Sequence, residues 1–307
     1  MRNFLVVLFL MVFTFSCRNE ENKKMNNSVK TEYIEIINDD YVLNKPSENI
    51  KAVLILFGGF PENAEDIKRE FKILENAKTN NIAVLYLNYN RKFYLEESEL
   101  LKLSEQLEKI IKSNKLPIDN IYIGGFSSGG TLALLISSFM TDTNSNIIPN
   151  GVFIVDSPID LAELYDTAEK NVKRDLGNSF TEESNWLLQT FNEEFGNPNS
   201  DISKYEQYSA FTSKTNNIDN IKNLKNTKIR LYTEPDTLWW KKNTMAEYEE
   251  MNAYHIKRLS ESLNKLEFKN VEYIPTTDKG YRENGERHPH SWSIVDKKKL
   301  INWMLNK

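Results

Sequence analysis

The segment from Asn120 to Gly130 constrains the fold more than any other part of the chain. Ile121, Tyr122 and Ile123 form an apolar run that leads directly into Gly125-Phe126-Ser127-Ser128-Gly129, and an apolar, helix-like run over 131–140 follows at once. A buried strand, a sharp turn and a helix are the three parts of a nucleophile elbow, with Ser127 at its tip. The glycines two positions either side of the serine have a mechanical role. The tip backbone is strained, and a side chain at either position would collide with the strand or helix being joined. Such a turn lifts a hydroxyl above the end of a sheet, where a base can reach it.

The rest of the chain supplies a frame for this turn. Short apolar runs at 33–37, 52–57, 82–87, 121–123, 152–155, 228–232 and 271–274 read as strands. Between them lie amphipathic stretches at 62–78, 96–112, 131–140, 245–266 and 294–305 that read as helices. Strands alternating with helices of this length imply a mainly parallel sheet covered on both faces. From about 160 to 226 the alternation stops, and polar helical segments carry Tyr165, Trp186, Phe191, Phe195, Tyr205, Tyr208 and Phe211. So long an excursion between two strands is expected to be an inserted helical cap.

At 307 residues the chain is long enough for one large domain with a proper core. Its formal net charge is -5 with both signs interspersed, so no basic stripe points to nucleic acid. The N-terminus reads differently from the rest. Met1-Arg2-Asn3 is followed by an apolar run over 4–15 and then Ser16-Cys17, the only cysteine. That run is short for a bilayer span and has the form of a secretory leader. It resembles a bacterial lipoprotein signal, although Thr14 stands where leucine is usual. The expectation is a signal peptide over 1–16, lipidation at Cys17, a polar tether over 17–31, a folded domain over 32–307 and a place at the cell envelope. A lone thiol excludes an internal disulfide. With no cysteine cluster and no helical histidine pair, no metal site or cofactor is expected.

A serine hydroxyl needs a base, and the base needs an orienting carboxylate. There are three histidines. His255 falls inside the expected 245–266 helix, where a packing or solvent-facing role is expected. His288 and His290 lie in a loop before the closing helix, with His290 the first choice, His288 the alternative and Ser291 the expected cap of that helix. For the acid, the turn Thr233-Glu234-Pro235-Asp236 ends a strand; Pro235 stiffens it, so Asp236 is the first choice, with Glu234 and Asp156 as alternatives. An oxyanion would be met by the backbone amide of Ser128 and by a donor from Gly59 or Phe60 in the glycine loop after an early strand.

Taken together, these residues resemble the α/β-hydrolase family, over roughly residues 32–307. The order Ser127, Asp236, His290 is that family's chain order. The stretch between the last strand and His290 is longer than usual, with Gly280 and Gly285 in it. The resemblance implies a sheet of about eight strands and catalysis through an acyl-enzyme. The expected activity is hydrolysis of a small carboxylic ester, with a serine peptidase or a silent lipid-anchored binding protein on the same fold as alternatives. The fold by itself names no substrate. Trp239 and Trp240, beside the acid turn, are candidate substrate-binding residues.

Overall fold

A computed structural model describes residues 32–306 apart from 90, 144, 175, 176 and 178. The leader, Cys17 and the tether lie outside the described residues. Eight strands form one sheet: β1 (Tyr33–Ile37), β2 (Tyr41–Pro46), β3 (Ala52–Phe57), β4 (Ile82–Leu87), β5 (Ile121–Phe126), β6 (Gly151–Val155), β7 (Lys228–Thr233) and β8 (Val271–Pro275). Their order is β1-β2-β4-β3-β5-β6-β7-β8. β1 pairs antiparallel with β2, and β2 with β4; every other pair is parallel. The mainly parallel sheet expected from the alternation, with the eight strands that the resemblance implies, is therefore present. β2 had not been expected, because Asn44, Lys45 and Pro46 dilute its apolar signal.

Among the described residues ten α-helices accompany the sheet: α1 (Ala64–Phe71), α2 (Leu74–Thr79), α3 (Glu97–Ser113), α4 (Ser128–Asp142), α5 (Leu161–Arg174), α6 (Ser179–Glu194), α7 (Ser203–Glu206), α8 (Thr237–Thr244), α9 (Asn252–Lys265) and α10 (Lys297–Met304). The period-two geometry of β3 divides its side chains between two cores. Val53, Ile55 and Phe57 join residues of α3, α4 and α9 on one face. Ala52, Leu54 and Leu56 join α1, α2 and α10 on the other. A third, aromatic-rich cluster, including Tyr165, Phe191, Phe195 and Tyr205, lies among α5, α6 and α7 in the long segment between β6 and β7.

Three expected helices are reshaped. The 62–78 helix is two helices, broken where Lys72 takes a left-handed conformation (φ 50°). Phe71 and Ile73 explain the break: both are fully buried, yet residues two apart point to nearly opposite sides of a continuous helix. The 245–266 helix begins only at Asn252, after a left-handed Met245 that closes α8. The closing helix is capped by Asp296, whose carboxylate accepts from the Lys299 amide at 3.0 Å, and not by Ser291.

The chain passes from β3 outward to β4 and then returns to β5 on the other side of β3. Loops leaving the ends of β3 and β5 therefore diverge and open a crevice, the usual place for a ligand in an open parallel sheet.

Candidate active site

The elbow forms as its sequence requires. Ser127 joins β5 to α4 with φ 51° and ψ -131°, a strained conformation for a residue with a side chain. Its amide donates to the Val155 carbonyl at 2.9 Å, tying the tip to β6. A Cβ on Gly125 would sit 2.1 Å from the Gly129 carbonyl oxygen, and one on Gly129 would sit 2.3 Å from that of Gly58. The turn closes only because both positions are bare. Ser127 is half-buried at the head of α4 and lines a cavity of about 170 Å³.

His290 lines the same cavity. Its ring lies against Phe126, the residue before Ser127, with centroids 4.5 Å apart. His290 Nδ1 is 2.7 Å from Asp156 Oδ2. With Nδ1 so engaged, Nε2 is the nitrogen left for the serine. Asp156 is almost wholly buried. It follows β6 in a left-handed conformation (φ 45°), and its second oxygen accepts the Thr233 hydroxyl at 2.6 Å. The Asn252 amide group donates to the Asp156 carbonyl at 2.9 Å, so backbone and side chain are both held.

The carboxylate behind His290 is thus Asp156 and not Asp236. Asp236 is turned to other work: it caps α8 by accepting from the Trp239 amide at 3.0 Å and takes the Arg287 guanidinium at 2.6 Å. Glu234 accepts from the same Arg287 at 2.5 Å, and from the amides of Lys279 and Gly280 at 2.9 and 3.1 Å. The long loop before His290 is therefore tied down by the two carboxylates of the acid turn. Asp156 was visible in the sequence as an acid ending the strand after the elbow strand, but Pro235 made the later turn look better built.

His288 is not engaged by any of these acids. It packs against Trp239 with ring centroids 4.7 Å apart, and its Nδ1 has no hydrogen-bond partner. Burial, with His290 and Arg282 adding repulsion, pushes its pKa down to about 3. A ring held neutral over the working pH range and lacking an orienting carboxylate is poorly suited to serve as the base. Trp240 lines the cavity, whereas Trp239 is taken up by the contact with His288.

The glycine loop after β3 reaches the elbow. The Phe60 amide donates to the Ser128 hydroxyl at 3.1 Å. Gly59 is not a free donor as expected, since its amide is bound to the Glu62 carboxylate at 3.0 Å. Its bareness matters instead, because a Cβ there would lie 2.8 Å from that of Ser127. Glu62 also accepts from the Trp292 indole at 3.1 Å, and burial raises its pKa. The Ser128 amide heads α4, where helix geometry leaves the first N–H groups without intrahelical partners.

Sequence reasoning missed the far wall of the cavity. Glu163 on α5, Glu183 on α6 and His255 on α9 all line it. His255 is buried, not solvent-facing, against the Ser213 hydroxyl at 2.9 Å, a contact between distant segments that only the closed fold could reveal.

No protein-family model matches the chain, and no curated protein matches it in sequence. Solved structures do resemble it. Esterase B from Lactobacillus rhamnosis superposes with a TM-score of 0.56 at 10% identity, over 90% of this chain and 85% of the other. An esterase of the bacterial hormone-sensitive lipase family gives 0.55 at 12% identity, over 90% and 84%. An esterase from the fungus Rhizomucor miehei gives 0.54 at 14% identity, over 90% and 82%. Likeness at this level of identity establishes the architecture, which is the α/β-hydrolase fold.

Proposed function

We propose that the chain is a serine hydrolase that cleaves small carboxylic esters through an acyl-enzyme on Ser127. The observation that carries this reading is the pairing of His290 Nδ1 with buried Asp156 at 2.7 Å, in the cavity that Ser127 lines. Ser127 Oγ attacks the ester carbonyl while His290 Nε2 takes its proton. Asp156 fixes the tautomer and stabilises the imidazolium. The Ser128 and Phe60 amides meet the developing oxyanion, the latter once a change of Ser128 rotamer releases it. His290 then protonates the leaving alcohol, and water discharges the acyl group by the same route reversed. The cavity, about 170 Å³, is below the roughly 300–1,000 Å³ of drug-sized ligand sites, which favours short acyl groups. The similar folds of proteins described as esterases support an ester substrate over a peptide.

The test is labelling by a fluorophosphonate probe. Wild type is expected to react and Ser127→Ala to remain unlabelled; equal labelling of the two contradicts the assignment of the nucleophile. For the N-terminus, the Ser16-Cys17 leader supports anchoring at the bacterial envelope through a lipidated Cys17. Cys17→Ser is expected to move the protein from the membrane fraction to the soluble one on ultracentrifugation, and continued sedimentation with membranes would count against the anchor.

A further inference from the structure

The cavity beside Ser127 carries more negative charge than hydrolysis requires. Asp160, Glu163, Glu183 and Glu250 line it, and among the described residues no lysine or arginine does. Two of these acids are already satisfied. Asp160 accepts the amides of Ala162, Glu163 and Ser213 at 3.1, 3.2 and 2.6 Å. Glu250 is bound by Lys170 and Arg174 at 3.1 and 2.8 Å. Glu163 and Glu183 have neither a hydrogen-bonding side chain nor an ion pair of their own among the described residues. Lys214, whose charge is felt by Glu163, is held at 3.0 Å by Asp166.

A second feature points the same way. His255, 6% exposed, lines the cavity beside Glu163. Its Nδ1 lies 2.9 Å from the Ser213 hydroxyl, and that hydroxyl is in turn drawn to Asp160. With its proton directed to Asp160, the Ser213 oxygen accepts from Nδ1–H, and the ring's lone pair is left on Nε2. That Nε2 is buried without a hydrogen-bond partner; the Glu249 carbonyl favours the charged ring without meeting Nε2 in a hydrogen bond. A buried acceptor and an adjacent unpaired carboxylate form a site for a cationic donor.

We propose that this end of the cavity binds a primary ammonium group on the substrate, held by Glu163 and His255 Nε2, with Glu183 beside His290 adding to the attraction. Ile159, Leu164 and Ala168 on the cavity wall suit an aliphatic stem between the ammonium and the ester. Burial raises the carboxyl of Glu163, with Asp160 adding to the effect, and that of Glu183, whose water is partly displaced by the cavity walls although much of its surface is open. Burial also keeps His255 neutral. An incoming cation relieves the strain on the two carboxylates and favours the neutral form of His255 that accepts from it. The inference rests on the hydrolase reading only for what becomes of the ligand after it binds.

The test uses the full chain with Ser127→Ala, so that esters bind without turnover. Affinities for methyl 6-aminohexanoate and methyl heptanoate, in which a methyl replaces the ammonium, are measured by calorimetry at neutral pH, with the shorter and longer members of each series alongside. At the best chain length the ammonium ester is expected to bind about tenfold more tightly, and Glu163→Gln in the same background to remove most of that preference. Equal affinity at every chain length would overturn the proposal, as would a preference that survives both Glu163→Gln and Glu183→Gln. If Ser127→Ala prefers the ammonium esters while the wild type turns over neither series, the hydrolase reading fails and the ammonium site stands. If the wild type hydrolyses both series at equal rates and Ser127→Ala shows no preference, the site fails and the hydrolase reading stands.

Discussion

His288 and His290 are two residues apart and have opposite surroundings, and the difference is one of partners. His290 has a carboxylate at 2.7 Å; His288 has tryptophan rings and no partner for Nδ1. The folded-state pKa of His288, about 3, lies below the ordinary histidine value of 6.5. Between these values the unfolded chain binds a proton that the folded chain refuses, so stability falls as pH drops. The contribution is whole above the unfolded value and is lost progressively toward pH 3. His288→Gln is therefore expected to flatten the acid limb of the melting temperature plotted against pH, and to leave the pH profile of ester hydrolysis unchanged. A shifted activity profile would show that His288, not His290, is the titrating base. At this scale Ser127 and the preference for His290 were readable in the sequence from local motif and loop position. The acid was not: which strand-end carboxylate meets a distant histidine depends on where Arg287 and the α8 cap claim Asp236 and Glu234.

At the scale of elements, the elbow is a four-way contact among β3, β5, α4 and the glycine loop, and its tolerances are tight. A methyl on Gly129 would fall 2.3 Å from the Gly58 oxygen and 2.6 Å from the Phe57 oxygen, both backbone atoms that cannot turn aside. Gly129→Ala is expected to destabilise the fold by about 3 kcal/mol or more, because the loop bearing the Phe60 amide must be displaced. Chemical denaturation checks this, and a midpoint equal to wild type would mean that the elbow is looser than it looks. The strands of the core were legible because continuous apolar runs such as Ala52–Phe57 admit few other readings. Helix interruptions were not. Lys72 and Met245 adopt left-handed conformations that close α1 and α8, and nothing in their immediate sequence announces it.

For the whole molecule, the chain order serine, carboxylate, histidine is kept when Asp156 takes the place expected of Asp236, since Asp156 also lies between Ser127 and His290. What moved is the supporting strand: the acid leaves β6, next to the elbow strand, and β7 supplies the Thr233 hydroxyl that steadies it. The overall α/β architecture could be read from the alternation of elements. The cavity could not, because Glu163, Glu183, Trp240, His255 and His290 come from separate segments that only the closed fold brings together. The central claim is that one buried carboxylate orients His290 for Ser127. The most direct measurement compares kcat for a short-chain ester in Asp156→Asn and Asp236→Asn, with folding of each checked by circular dichroism. Asp156→Asn is expected to lower kcat by about 10³–10⁴, as loss of the orienting acid does in a serine triad, and Asp236→Asn by less than about tenfold. A collapse of activity in Asp236→Asn with Asp156→Asn left near wild type would contradict the account.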